Sequence, residues 1–180
     1  MLRTEIGLEE PANPGLSPNP ARAPWYFAGF QELLLHLHPL FAVCILPAAA
    51  VFLLLAIPYR RYPDTTGGVW FRSAMGRRSG GIAAAAGLLL TPLLVWISEV
   101  LKNPEAPSGS VPAVVAEGLL PFLLLSAGLL LLSWLLKKRF HANKNDRTQA
   151  IFTLLVTAFG VLTIINVWFR GEGMALTLPW

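Results

Sequence analysis

Four apolar stretches dominate the chain, and each approaches the roughly 20 residues that a helix needs to cross about 30 Å of hydrocarbon. They run over about residues 39–57, 82–101, 114–136 and 150–168. Charged residues make up 13% of the 180 positions and hydrophobic ones 54%, with a mean hydropathy of +0.57. A soluble domain carries about 25% charged residues, so there is too little charge here to wet a globule, and lipid must cover the rest. Disorder is excluded for the same reason, because disordered chains are poor in apolar residues. The expected fold class is an all-α integral membrane protein with four transmembrane helices. Pro47, Pro92 and Pro121 lie inside three of the stretches. Neighbouring helices and Ser/Thr side chains re-satisfy a carbonyl freed in lipid, so kinks rather than breaks are expected there.

The connections between stretches set a direction. Arg60, Arg61, Arg72, Arg77 and Arg78 follow the first stretch, and Lys137, Lys138, Arg139, Lys144 and Arg147 follow the third. These ten of the 14 basic residues fall on one side, facing only Asp64 and Asp146. The connection after the second stretch holds Lys102 alone, near Glu99, Glu105 and Glu117. The positive-inside rule places the basic side in the cytoplasm and both termini outside. The start of the chain has none of the features of a cleaved signal peptide, so no processing is expected.

Ahead of the first stretch, residues 1–22 hold Pro11, Pro14, Pro18 and Pro20 and read as an extended arm. Residues 23–38 read as a short helix lying along the outer surface. Pro24 suits a first helical turn, and Trp25, Tyr26, Phe27 and Phe30 form an aromatic cluster suited to the membrane–water boundary. Glu32 and His36 are four apart and share a face, from which His38 is excluded. Residues 169–180 form an outer-face tail.

The run Asn13-Pro14, Ala23-Pro24-Trp25-Tyr26 and the aromatic helix after it, followed by a membrane span, resembles the C-terminal half of cytochrome b, called subunit IV where the gene is split. In that family a Pro-Glu-Trp-Tyr motif lies before such a span, on the outer side, and lines the quinol-oxidation pocket. Val69-Trp70-Phe71-Arg72-Ser73 is similar to the family's Phe-Arg-Ser/Pro loop. Trp168-Phe169-Arg170-Gly171-Glu172-Gly173, with Leu178-Pro179-Trp180 at the end, is similar to the tail of prokaryotic members that use menaquinol. The resemblance covers about residues 10–100 well, the third stretch more weakly, and the fourth as an extension. Two departures stand out: Pro24 occupies the place of the family's proton-accepting Glu, and the span that precedes the motif in the family is not in this chain.

The resemblance implies a membrane subunit of a (mena)quinol–cytochrome c oxidoreductase in a prokaryotic cell membrane. Quinone would meet Trp25, Tyr26 and Phe30. Haem b, with haem c or an iron–sulfur centre, would sit on partner chains: a haem-binding N-terminal cytochrome b chain and a cytochrome c or Rieske-type subunit. The residues agree that this chain ligates no metal. A haem pair takes four histidines on two spans, whereas the chain has three, none within a span, and the single Cys44 builds no cluster.

Glu32, Glu99 and Glu117 are the acids within or at the edge of apolar sequence, where acids mark proton paths. Partial burial is expected to raise a carboxyl pKa toward that of a useful base. Glu32 is therefore the expected substitute for the missing motif acid, with His36 relaying the proton, and Glu99 and Glu117 are further candidates. The competing function is a non-catalytic, cytochrome b-derived membrane anchor of another quinone-linked complex. A transporter is disfavoured, since no charge lies mid-span and no repeat symmetry appears. Nothing points to nucleic acid; the basic groups suit topology and anionic lipid.

Overall fold

The computed structural model describes residues 22–56, 58–59, 70–101, 112 and 114–177. All but residue 22 of the expected arm (residues 1–22), most of the first and second connections and residues 178–180 lie outside the described residues. Those described form helices and turns, with one isolated antiparallel bridge between Arg170 and Leu176. The helices are α1 (Ala28–His36), α2 (Leu40–Ala56), α3 (Ala74–Leu101), α4 (Val114–Phe140) and α5 (Lys144–Phe169).

Three of them, α3, α4 and α5, are long and apolar enough to cross a membrane. The chain is thus all-helical with at least three candidate spans. The apolar helix α2 is shorter; at 1.5 Å per residue its length is roughly 25 Å.

Prolines shape the two helices that start with wide turns. Residues Leu40–Ile45 and Val114–Leu119 are π-helical, and ordinary α-helix follows from Leu46 and from Leu120. Pro47 and Pro121 each stand at the second residue of the α-helical part. A proline ring clashes with the carbonyl four residues back and offers no N–H to it, and a π turn, which reaches five residues back, absorbs both problems. Pro92, by contrast, is taken up inside α3 without a change of helix type. The helices run through all three prolines, as the sequence leads one to expect.

Helices α3 and α5 form the packed centre. A Cβ on Gly87 would stand 3.0 Å from Thr157 Cβ and 3.1 Å from the Leu154 carbonyl, so the missing side chain is what lets the two backbones approach. One apolar cluster, Ala83, Leu136, Ala142 and Ala150, lies toward the α5 N-terminus. A second, Val95, Leu162 and Ile165, lies toward its C-terminus, with Leu33 of α1 packed on it. Gly29 lets α1 settle on α5, since a Cβ there would come within 2.8 Å of Phe159 and Thr163. α2 and α4 stand largely clear of this centre: beyond Phe41 and Ala42 at its start α2 has no buried residue, and Leu124 and Leu130 of α4 are 65% and 72% exposed.

Both central helices begin earlier than hydropathy indicates. At α5, Asn143 and Asp146 form a capping box that draws Lys144–Gln149 into the helix. At α3, Ser73 Oγ accepts a hydrogen bond from the Gly76 amide at 2.7 Å, in N-cap fashion, and donates to Asp146 Oδ1 at 3.0 Å. The two helix starts are therefore tied together, which puts Arg72, Arg77, Arg78, Lys144 and Arg147 at the same end of the molecule. Lys137–Arg139 join them there, because only two residues separate the end of α4 from the Asn143 cap, with His141 left-handed at φ 49°. Cations in the last turn of α4 also suit the negative end of the helix dipole.

Candidate functional site: a buried charge network at one end of the bundle

The opposite end gathers Glu32 and His36 of α1, Ser98 and Glu99 of α3, and Asn166 and Arg170 at the close of α5. Glu32 is fully buried and Arg170 is 3% exposed. Arg170 Nε donates to both carboxylate oxygens of Glu32 at 3.1 Å, and its Nη2 donates to Glu32 Oε1. Asn166 Nδ2 donates to Glu32 Oε2 at 3.1 Å. Nη2 also meets Glu99 Oε1 at 2.8 Å, and Nη1 donates to the Met174 carbonyl at 3.0 Å. The last contact exists because the tail turns back on itself. Gly173 and Met174 both adopt positive φ, and Thr177 donates to the Phe169 carbonyl, which lays a short loop over the guanidinium. Arg22, just before α1, donates to the Arg170 carbonyl from the exposed side.

His36 bridges the network. Its Nε2 lies 3.0 Å from Glu32 Oε1 and 3.2 Å from Arg170 Nη2, and its Nδ1 lies 2.6 Å from Ser98 Oγ. Ser98 Oγ in turn stands 2.8 Å from the Val95 carbonyl.

These contacts overturn one expectation. Burial does push the Glu32 carboxyl upward, but hydrogen bonds from His36 and Arg170, the positive charge of Arg170 and the Asn166 amide outweigh it. The pKa falls from 4.5 to about 2. Glu32 is therefore a permanently ionised partner at neutral pH rather than a base poised to take a proton. The sequence reading counted burial and omitted the cation that compensates it. Arg170 is shifted the other way: desolvation would lower its pKa, but Glu32 and Glu99 hold it above the ordinary guanidinium value.

The other candidates separate. Glu99 is a quarter exposed and joins the network through Arg170. Glu117 does not; its side chain is exposed, and its backbone carbonyl accepts from the His38 amide at 2.9 Å, which ties the start of α4 to the start of α2. Trp25 and Tyr26 are 73% and 57% exposed and stack edge to face on each other at 5.7 Å. Phe30 instead packs against Phe159 of α5 with ring centres 5.0 Å apart.

Phe30 also borders an open groove of ≈ 420 Å³ between α1 and α2, lined by Ala23, Phe27, Phe30, Gln31, Leu34, Val43 and Pro47. Ligand pockets run from about 300 to 1,000 Å³ and are mostly apolar with a few polar groups. Among these lining residues the polar side chain is Gln31, whose Oε1 accepts from the Ala23 amide at 2.9 Å. α1 thus presents Phe30, Gln31 and Leu34 to the groove, with Phe27 just before it, while Glu32 and His36, four apart, turn to the charge network. Trp25 and Tyr26 are not among the residues that line the groove, whereas Phe30 is.

Sequence reasoning missed Ser98, Asn166 and Arg170. The signal was present, since an asparagine and an arginine close an otherwise apolar helix at considerable cost unless they have partners. Among the described residues no group of three or more His, Cys, Asp or Glu is placed to hold a metal ion. Scans against protein-family models, curated proteins and solved structures each return no match.

Proposed function

We propose that this chain is a membrane subunit of a (mena)quinol–cytochrome c oxidoreductase of the cytochrome b type, contributing part of the quinol-oxidation pocket at the outer face. The observation that carries the reading is the double use of α1. One face borders a quinone-sized, mainly apolar groove, and the other holds the buried Glu32–His36–Arg170 network. Oxidation of a quinol releases two electrons and two protons at one membrane face. An apolar slot for the ring, a polar group beside it and a proton-handling cluster one helix face away are the parts such a site needs from a chain that ligates no metal. The electrons would pass to haem and to a haem c or iron–sulfur centre on partner chains. The resemblance to the C-terminal half of cytochrome b, through Ala23-Pro24-Trp25-Tyr26, supports the same assignment.

On this reading α2 is a fourth span. α1 lies at the end where α3 finishes, and α3 begins at the other end, beside Asp146. The chain between them must traverse the bundle, and α2 is the described helix in that interval. The basic end then faces the cytoplasm of a prokaryotic cell by the positive-inside rule, and the charge network faces outward.

A non-catalytic anchor is the second reading, favoured by the exposure of Trp25 and Tyr26 and by the ionised state of Glu32. Turnover of the assembled complex separates the two. Leu34→Trp, which fills the groove from α1, should raise the KM for quinol several-fold while leaving assembly intact. An unchanged KM in both Leu34→Trp and Phe30→Ala complexes would establish the anchor.

A further inference from the structure

The charge network contains more hydrogen-bond acceptors than its fixed donors can serve, and the shortfall falls on His36. Arg170 Nη2 carries two hydrogens. It has two carboxylate oxygens as its nearest partners, Glu32 Oε1 and Glu99 Oε1, and His36 Nε2 is farther away at 3.2 Å. Nε2 is therefore left facing Glu32 Oε1 at 3.0 Å, and two lone pairs at that distance would repel. A proton on Nε2 removes the conflict. On the other side of the ring, Ser98 has one hydroxyl hydrogen and two acceptors, Nδ1 at 2.6 Å and the Val95 carbonyl at 2.8 Å. When Nδ1 is bare, the hydroxyl serves it; when Nδ1 holds a proton, the hydroxyl turns to Val95 and its oxygen accepts. Both arrangements satisfy every group, and they differ by one proton.

We propose that His36 is a proton-binding site in which the Nε2–H is fixed on Glu32 while Nδ1 takes up and releases one proton beside the rotating hydroxyl of Ser98. The groups facing the ring are Glu32 on α1, Ser98 and Glu99 on α3, and Asn166 and Arg170 from α5. Arg22 approaches the Arg170 carbonyl from the exposed side, where water screens it. The His36 side chain is 12% exposed, so the site is sheltered yet within reach of solvent or of a substrate proton. Arg170 acts here as a positioning residue: it keeps Glu32 ionised, and Glu32 fixes the tautomer.

This inference goes beyond the quinol reading and needs no quinol for its test. The full chain, labelled with 15N-histidine and held in lipid nanodiscs, reports the protonation of each ring nitrogen by NMR. His36 is assigned by its disappearance in His36→Gln, apart from His38 and His141. The expected result is a neutral His36 in the Nε2–H form at high pH, with Nδ1 gaining a proton on acidification while the chain stays folded. Ser98→Ala should reduce the preference for the Nε2–H form about fivefold, the worth of one hydrogen bond, and Ser98→Thr, which keeps the hydroxyl, should restore it. A neutral ring in the Nδ1–H form, or a ring that gains no proton on acidification of the folded chain, would overturn the proposal on the wild-type chain alone. So would a Ser98→Ala chain with wild-type tautomer populations. A complex that fails to oxidise quinol while His36 titrates as described would defeat the functional reading and leave this one standing.

Discussion

The two ends of the bundle carry charge in opposite ways. At one end, Arg72, Arg77, Arg78, Lys137, Lys138, Arg139 and Lys144 are exposed, and among the described residues the acid there is Asp146, bound into the helix-start clasp with Ser73. At the other, Glu32 and Arg170 are buried against each other and against His36, Asn166 and Glu99. Exposed charges are solvated and each contributes little. Buried ones cost several kcal/mol to desolvate and persist only when every group is paired. A protein that needed charge merely to orient itself would require only the first arrangement. The proposed function gives the second arrangement, beside the groove, its use.

The comparison can be broken most directly through Arg170. Arg170→Met leaves Glu32 buried without its cation and should destabilise the chain by about 3–5 kcal/mol, whereas Arg77→Met at the other end should stay within about 0.5 kcal/mol. Thermal unfolding in one detergent measures both, and equal losses would erase the distinction. The double variant Glu32→Gln/Arg170→Met should recover part of the loss, since the two residues act as a unit.

Acid provides the next largest effect. Because the folded state holds Glu32 at about 2 against an ordinary 4.5, its ionised form stabilises the fold fully above pH 4.5. That contribution, roughly 3 kcal/mol, should fade as the pH falls from 4.5 toward about 2. In Glu32→Gln the slope over this interval should flatten; a slope equal to that of the wild type would assign the acid lability to other groups.

Smaller effects sharpen the description of the basic end. Ser73→Ala removes the cap of α3 and its bond to Asp146, and should cost about 1 kcal/mol by the same unfolding assay. Lys138 stands 4.7 Å above the Trp134 ring, and at an exposed site Lys138→Ala should cost no more than about 0.5–1 kcal/mol. A larger loss from Lys138→Ala than from Ser73→Ala would mean that the surface charge, not the clasp, organises this end.

What could be read from the sequence follows the range of the interaction. Periodicity and spacing paired Glu32 with His36, because a four-residue separation in a helix is a local fact. Hydropathy located α3, α4 and α5, yet it began α3 at 82 and α5 at 150, since the polar first turns of an otherwise apolar helix look like loop. The Asn143/Asp146 box was a readable signal for the true start of α5; the clasp from Ser73 to Asp146 was not, as it joins positions 73 residues apart. Arg170 is the extreme case. Its partner lies 138 positions away, so only the packing of α1 on α5 reveals that Glu32 is an anion in an ion pair rather than a base with a raised pKa. The π turns ahead of Pro47 and Pro121 belong to the same class, where the sequence indicates disturbance and the fold decides its form.

The central claim is that the groove beside α1 receives a quinone ring. Photolabelling of the assembled complex with an azido-naphthoquinone, followed by peptide mapping, tests it most directly. The account predicts label on residues 27–34 and 43–47, displaced by excess menaquinone. Label confined to other segments, or label there that menaquinone does not displace, would contradict it.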